Sequence, residues 1–322
     1  MTRQHPGYTY HTGSRDNATS PFPSAPEGDQ GVRSLPDNGL ATTAPVRLGV
    51  IDYLNVVPVY DWLLRRQRDE GGLPGIETVA GVPAAMNSAL IAGDIDVSNV
   101  SSFAFGAHAD EWLLLPHLSV AAHGRVESVL LFSWQQDWRR LDGATVALTA
   151  HSATSVQLVK LLCERRHGVH PRYVTETQPD LDRMLAQSEA ALLIGDTALI
   201  EGHRRRSVGA RGQPFVFDLA AEWEQWTGLP VVFAVWAARV DRLDAVHASG
   251  AIELLRESKQ RGLRALPTLA DEAAARLGLP RDDCERYLRL LDYDLTDHDL
   301  RGLRLFLEMA IPGFQWDRTR FA

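Results

Sequence analysis

The chain reads as an α/β protein of two lobes with a helical C-terminal third, and three observations predict this. At 322 residues, 45% of them hydrophobic and 23% charged, it is a globular chain long enough for two cores of the usual ~150 residues. An alternation of short apolar runs with helical spacing occurs once, and restarts after the turn signal Leu141-Asp142-Gly143. Beyond about Leu243 only helical periodicity remains, with breaks near Pro267, Gly278-Leu279-Pro280 and Tyr293. Two successive β/α runs imply two parallel-type sheets with helices on their faces.

Residues 1–44 are Ser, Thr, Pro, Gly, Asp and Asn with scattered aromatics and hold no apolar run suited to a signal peptide. Such a stretch cannot bury enough apolar surface to offset its ordering entropy, so it is expected to be a disordered tail. The folded chain then opens with a strand at Val46–Ile51 and a helix over 56–66, whose Pro58 is tolerated in the first turn. A strand is expected over 75–80, a helix over 84–92 closing on Gly93, and a strand over 95–100 running into Ser101-Ser102. Further apolar runs stand at 112–115 and 126–132. The second alternation gives strands over 144–148, 172–175 and 190–194, with helices over 154–166 and 181–187. Strands over 215–217 and 231–237 complete the pattern, and Arg204-Arg205-Arg206 is read as a solvated loop.

Charge and motifs exclude several functions. A net charge of −8 repels polyanions at long range, so neither nucleic acid nor an anionic membrane is an expected partner. Cys163 and Cys284 lack metal-ligand spacings and fall in apolar helical stretches, which fits buried thiols in a reducing compartment. The phosphate-binding glycine fingerprints, H-E-x-x-H and G-x-S-x-G are missing, and nothing near His167 and His170 completes a ligand set. No metal and no cofactor are expected. His123 stands five residues before Ser128, but without a nucleophile elbow or an orienting acid a Ser/His nucleophile is not supported.

What the sequence offers instead is small neutral hydrogen-bonding residues at the C-terminal ends of strands, where open α/β sheets place ligands. There are four such clusters: Asp52-Tyr53-Leu54-Asn55, Ser98-Asn99-Val100-Ser101-Ser102, His151-Ser152-Ala153-Thr154-Ser155 and Gly195-Asp196-Thr197. Helix capping accounts for any one of them. Several helix N-termini meeting at one cleft would also hold an anion, each contributing about 0.3–1 kcal/mol. None of the four contains Lys or Arg, which suits a small carboxylate better than a triphosphate.

From Val46 to Arg239 the chain resembles the chorismate dehydratases of the futalosine route to menaquinone, which share the two-lobed fold of type II periplasmic binding proteins. The pieces that carry the resemblance include Ile51-Asp52-Tyr53-Leu54-Asn55-Val56-Val57-Pro58, Gly81-Val82-Pro83-Ala84-Ala85-Met86-Asn87-Ser88-Ala89-Leu90 and Gly93-Asp94-Ile95-Asp96-Val97. Others are Leu115-Pro116-His117-Leu118-Ser119-Val120, Gly124-Arg125-Val126-Glu127-Ser128-Val129, Leu192-Leu193-Ile194-Gly195-Asp196 and the run from Trp226 to Trp236. Their order and number, rather than any single piece, make the match specific.

The resemblance implies a lyase that removes water from chorismate to give 3-[(1-carboxyvinyl)oxy]benzoate in the cytoplasm, with Asn55 and Ser128 as the catalytic pair. Tyr53, Leu54, Ser101, Ser102, Ser152, Thr154, Ser155, Gly195 and Asp196 are expected to bind the substrate. The family's first motif usually reads S-Y-L-N, so Asp52 is a departure; it is expected to face away from a dianionic substrate or to pair elsewhere. The expected lobes are 45–127 plus 236–322 and 128–235, hinged near Ser128 and Val235 around a central cleft. A two-lobed binding protein for a small carboxylate, without chemistry, and the sister enzyme 1,4-dihydroxy-6-naphthoate synthase are the alternatives. A signal peptide or lipobox cysteine would favour the first, and neither is seen; a proline- and aspartate-rich first motif would favour the second, unlike Tyr53-Leu54-Asn55-Val56-Val57-Pro58.

Overall fold

The structure, a computed structural model, describes residues 44–208 and 212–322; the expected tail lies outside them except for Ala44. In chain order the elements begin β1 (Val46–Ile51), α1 (Val57–Asp69), β2 (Ile76–Gly81), α2 (Pro83–Ala92), β3 (Val97–Ser101), α3 (Ser102–Ala107), β4 (Trp112–Ala122) and β5 (Val129–Ser133). They continue with β6 (Thr145–Thr149), α4 (Ala153–Leu161), β7 (Arg172–Glu176), α5 (Leu181–Gln187), β8 (Ala190–Ile194), α6 (Gly195–Val208), β9 (Phe215–Asp218) and α7 (Leu219–Thr227). The rest is β10 (Val231–Arg239), α8 (Leu243–Ala248), α9 (Ala251–Arg264), α10 (Leu266–Leu277), α11 (Arg281–Leu290), β11 (Leu291–Asp292) and α12 (Asp297–Ala310).

Two sheets form, in the orders β11-β4-β10-β3-β1-β2 and β7-β6-β8-β5-β9. Both are mixed rather than parallel. β1 runs parallel to β2 and β3, and β6 to β7 and β8, but β10 is antiparallel to β3 and β4, and β5 is antiparallel to β8 and β9. The exceptions are the strands the chain enters on crossing between sheets, where no βα unit dictates a parallel return. β10 pairs with its neighbours over its whole length from Val231 to Arg239, so the return to the first sheet falls before Val231 rather than at 235–236.

The apolar runs are the strands because they are buried on both faces: β3, β5 and the first four residues of β4 are buried throughout. Helices cover those faces through one apolar stripe each. α9 buries Ile252, Leu254, Leu255 and Gly262, and Gly262 sets how closely it crosses α1, since a Cβ there would lie 1.9 Å from the Pro58 carbonyl oxygen. The C-terminal third is not wholly helical: β11 adds a short edge strand to β4 at the break expected near Tyr293. Arg204 and Arg205 belong to α6 rather than a loop, and Arg205 pairs with Glu201 and Asp182. The helix expected over 154–166 ends as α4 at Leu161 and widens into a π-turn over Leu162–Arg166. Both cysteines are free and buried, and burial pushes the Cys163 thiol up to about 12.

One buried carboxylate ties down the first sheet through two arginines. Asp96, fully buried, accepts the Arg47 backbone N–H at 2.8 Å and pairs with the guanidinium groups of Arg47 at 2.9 Å and Arg242 at 3.2 Å. Burial alone would raise this carboxyl, but the hydrogen bonds and charges of Arg47, with the charge of Arg242, outweigh it and hold it below the usual range. Its stabilising effect is therefore present above the unfolded value near 4 and is lost as the pH falls through the lower folded value. Asp96→Asn should destabilise the protein by about 2 kcal/mol near neutral pH, because two partly exposed guanidinium groups lose the carboxylate they share. In denaturant melts its deficit against the wild type should shrink as the pH falls below about 4.

Candidate active site

The strand ends of the two sheets line a narrow cleft, the place where open α/β sheets set small-molecule sites. Its polar lining comprises Tyr53, Asn55, Asn99, Ser101, Ser128, His151, Ser152 and Ser155, with Gly195 at its wall; among the described residues no Lys, Arg, Asp or Glu lines it. Most of these groups arrive by one local route, a strand ending in a polar residue that turns into a helix; Asn99 lies within β3 and Ser128 just before β5. Asn55 lies in the 3₁₀ turn Leu54–Val56 between β1 and α1. Ser101 ends β3 and caps α3, and Ser152 follows β6 and caps α4.

The hydroxyls share one property. The Ser101 oxygen accepts from the Ala104 N–H at 3.2 Å and from the Asn87 amide at 3.3 Å. The Ser155 oxygen accepts from Ser152 at 2.8 Å, and the Ser128 oxygen from the Tyr287 hydroxyl at 2.9 Å. With protein donors on their acceptor side, all three keep their own O–H to donate into the cleft. Burial raises the Tyr287 and Tyr53 phenols, so both stay protonated and donate. Against these donors stands one bare acceptor: Oδ1 of Asn55 is buried and has no hydrogen-bond partner. The His151 Nε2 lies 3.1 Å from the Thr177 carbonyl oxygen, which makes it the protonated nitrogen of that ring.

Ser128 is aimed by a buried carboxylate. Asp218, at the end of β9, caps α7 through Ala220 and Ala221 and accepts the backbone N–H groups of Val126 at 3.0 Å and Glu127 at 2.8 Å. That grip holds Glu127 at φ 58°, a left-handed conformation rare outside glycine. Burial raises the Asp218 carboxyl and the N–H bonds oppose it. The Ser128 carbonyl then accepts the Gly195 N–H at 2.8 Å, which ties the crossing segment to the start of α6.

Of the residues expected to bind substrate, the structure brings Tyr53, Asn55, Ser101, Ser128, Ser152, Ser155 and Gly195 together and turns four away. Leu54 is buried in the core, and its N–H donates to Asp196 at 3.0 Å. Ser102 is fully buried and donates to the Val232 carbonyl at 2.6 Å; Thr154 is fully buried and accepts the Phe103 N–H at 3.0 Å. Asp196 pairs with Arg276 at 3.1 Å, and burial raises its carboxyl against that charge. Asp52 is exposed and lies 3.5 Å from Arg276, so the departure from the family motif pairs outside the cleft as expected. Sequence reasoning missed Tyr287 and Asp218, which are 159 and 90 or more residues from the groups they serve. It named Asn99 in a cluster without choosing it.

Gly195 combines φ 62° with a close neighbour, since a Cβ there would lie 3.2 Å from the Tyr53 ring. Gly195→Ala should therefore cost about 1–2 kcal/mol of stability from the backbone alone and displace Tyr53. Thermal melts check the first effect and ligand affinity, weakened about tenfold or more, the second.

Comparison with known proteins agrees with this architecture. Residues 46–311 match the protein family described as menaquinone biosynthesis. The chorismate dehydratase of Thermus thermophilus is 36% identical over 278 residues, 83% of this chain and 96% of that protein. A crystal structure of an Archaeoglobus fulgidus protein superposes with a TM-score of 0.64 at 18% identity, covering 84% of this chain and 98% of its own. The periplasmic aliphatic sulphonate binding protein SsuA of Escherichia coli gives a TM-score of 0.58 at 17% identity, covering 87% and 92%. The last two likenesses establish the periplasmic-binding-protein-like fold, while the match over 46–311 and the 36% identical enzyme show that the chain belongs to the menaquinone-biosynthesis family.

Proposed function

We propose that this protein is a chorismate dehydratase, a carbon–oxygen lyase that converts chorismate to 3-[(1-carboxyvinyl)oxy]benzoate and water as a cytoplasmic step of the futalosine route. The observation that carries the reading is the cleft's polarity: three hydroxyls loaded to donate, and the unpartnered Asn55 Oδ1 beside them. Chorismate presents the complement, two carboxylates to receive donors and one ring hydroxyl to donate. The first turns of α4 and α6, which start at the cleft, add the positive ends of two helices without a cationic side chain.

In the reaction the ring carbon bearing the enolpyruvyl ether loses its proton, that electron pair forms the new ring double bond, and the neighbouring hydroxyl leaves. The released proton and hydroxide together make the water, and aromatisation drives the step. Asn55 holds the ring hydroxyl through Oδ1 and a carboxylate through its amide N–H. Ser128, its oxygen filled by Tyr287, donates to the departing hydroxyl. No side chain in the lining is a carboxylate base, so the substrate's own carboxylate takes the proton while the cleft orients it. Tyr53, Ser101, Ser152, Ser155 and the Gly195 turn are the positioning contacts.

Purified protein incubated with chorismate, with product followed by chromatography, tests this directly. Wild type should form the carboxyvinyloxy benzoate, and Asn55→Ala and Ser128→Ala should each lower kcat by about a hundredfold or more. Tyr287→Phe keeps the ring packing and should reduce kcat about tenfold with a smaller change in KM. Chorismate that raises the melting temperature without turnover would favour a binding protein, and dihydroxynaphthoate formation from a later pathway intermediate would favour the sister enzyme.

A further inference from the structure

Outside the cleft, three side chains from three elements converge. His123 follows β4, Asp292 ends β11, and Asp299 lies in the first turn of α12. The His123 Nε2 stands 3.0 Å from Asp299 Oδ1 and 3.4 Å from Asp292 Oδ2, and the three ligand atoms lie within 4.8 Å of one another. With metal–ligand bonds of about 2.1 Å, two donors sit about 3.0 Å apart at a right angle and about 3.4 Å apart at a tetrahedral one. The two distances from the His123 nitrogen are those of a coordination polyhedron's edges.

Each carboxylate is held by the oxygen that points away. Asp299 Oδ2 accepts the Thr296 N–H at 2.8 Å and hydroxyl at 2.6 Å, and Asp292 Oδ1 accepts the Asp294 N–H at 2.8 Å. Asp299 is fully buried and its Oδ1 accepts no hydrogen bond; the His123 nitrogen stands 3.0 Å from it as an ion-pair contact. The His298 ring stacks on His123 with centroids 5.4 Å apart and is itself met at Nδ1 by Arg301. Two carboxylates against one imidazole leave the cluster negative even when the ring is protonated. One oxygen of a buried carboxylate is thus presented, bare, to a point that a histidine nitrogen and a second carboxylate also face.

We propose that His123, Asp292 and Asp299 bind a divalent first-row transition-metal ion, with Zn²⁺ as the best fit to one imidazole and two carboxylate donors. Side-chain exposures of 40% for His123 and 28% for Asp292 leave the remaining coordination positions open to water. The ion would pin β11 and α12 to the end of β4, five residues before Ser128, and so brace the segment that enters the cleft.

The test uses the full chain without an affinity tag, stripped with a chelator, and titrated calorimetrically with ZnCl₂. One equivalent should bind with a rise in melting temperature of several degrees, and Co²⁺ should give a visible ligand-field spectrum. His123→Gln and Asp292→Asn should each weaken binding tenfold or more and abolish that spectrum. Asp299→Asn should do the same, and the first two variants keep the test valid if loss of the Asp299 cap unfolds α12. Wild type binding Zn²⁺ no more tightly than His123→Gln, or a Co²⁺ spectrum unchanged in that variant, overturns the proposal and leaves the cluster an ion pair.

Discussion

The geometry of the cleft depends on one buried carboxylate. Asp218 collects N–H groups from two directions, the first turn of α7 behind it and the crossing segment Val126-Glu127 in front. An unpaired carboxylate at that depth would be costly, so the four N–H partners are what allow it to sit there. In return it fixes the crossing segment in a backbone conformation that Glu127 would not otherwise hold. Ser128 emerges from this strained turn with its hydroxyl toward Tyr287 and its carbonyl toward Gly195. The position of one serine is thus set by contacts in the second sheet, α6 and the C-terminal helices together.

The site follows from how neutral donors are arranged rather than from charge. A serine hydroxyl can accept or donate, and which it presents to a ligand depends on what already occupies it. Ser101, Ser128 and Ser155 each accept a hydrogen bond from a protein partner. The acidic groups nearby are kept out of the cleft by the same economy: Asp196 faces the Leu54 N–H and Arg276, and Asp52 faces Arg276 from solvent. A cleft lined in this way attracts a dianion weakly at long range but orients it firmly at contact, which suits a reaction whose driving force lies in the product.

The central strands were legible because they are short, largely buried runs, while β2, β7 and β9 at the sheet edges are partly exposed; strand ends mark the cleft because polar residues there cap the next helix. What such a run does not carry is direction, so the antiparallel settings of β5 and β10 could only come from the long crossings that deliver them. Choosing among adjacent polar residues was harder for a related reason. At β3 and α4, Ser101 and Ser155 face the cleft while their neighbours Ser102 and Thr154 close hydrogen bonds to the core. One residue is a 100° step around a helix, and composition does not say which step faces in. Tyr287 was beyond reach because its role exists only once α11 has folded back over a separation of 159 residues.

That fold-back also bears on what distinguishes this chain from a receptor of the same fold. The C-terminal helices α10 and α11 contact the second sheet's side of the cleft repeatedly: Arg276 meets Asp196, Tyr287 meets Ser128, Arg286 meets Glu127, and Asp283 meets His203 of α6. A binding protein gains from opening widely and closing on its ligand, because the closure is what its partners sense. An enzyme whose main contribution is orientation gains from the opposite, a cleft whose walls are already braced, because every degree of freedom fixed beforehand is one the substrate need not freeze. Of these contacts the buried Tyr287–Ser128 hydrogen bond contributes most, since the pairs made by the exposed Arg276 and Arg286 contribute little alone. The fold supplies the cleft, and the contacts of the C-terminal helices brace the side chains that line it.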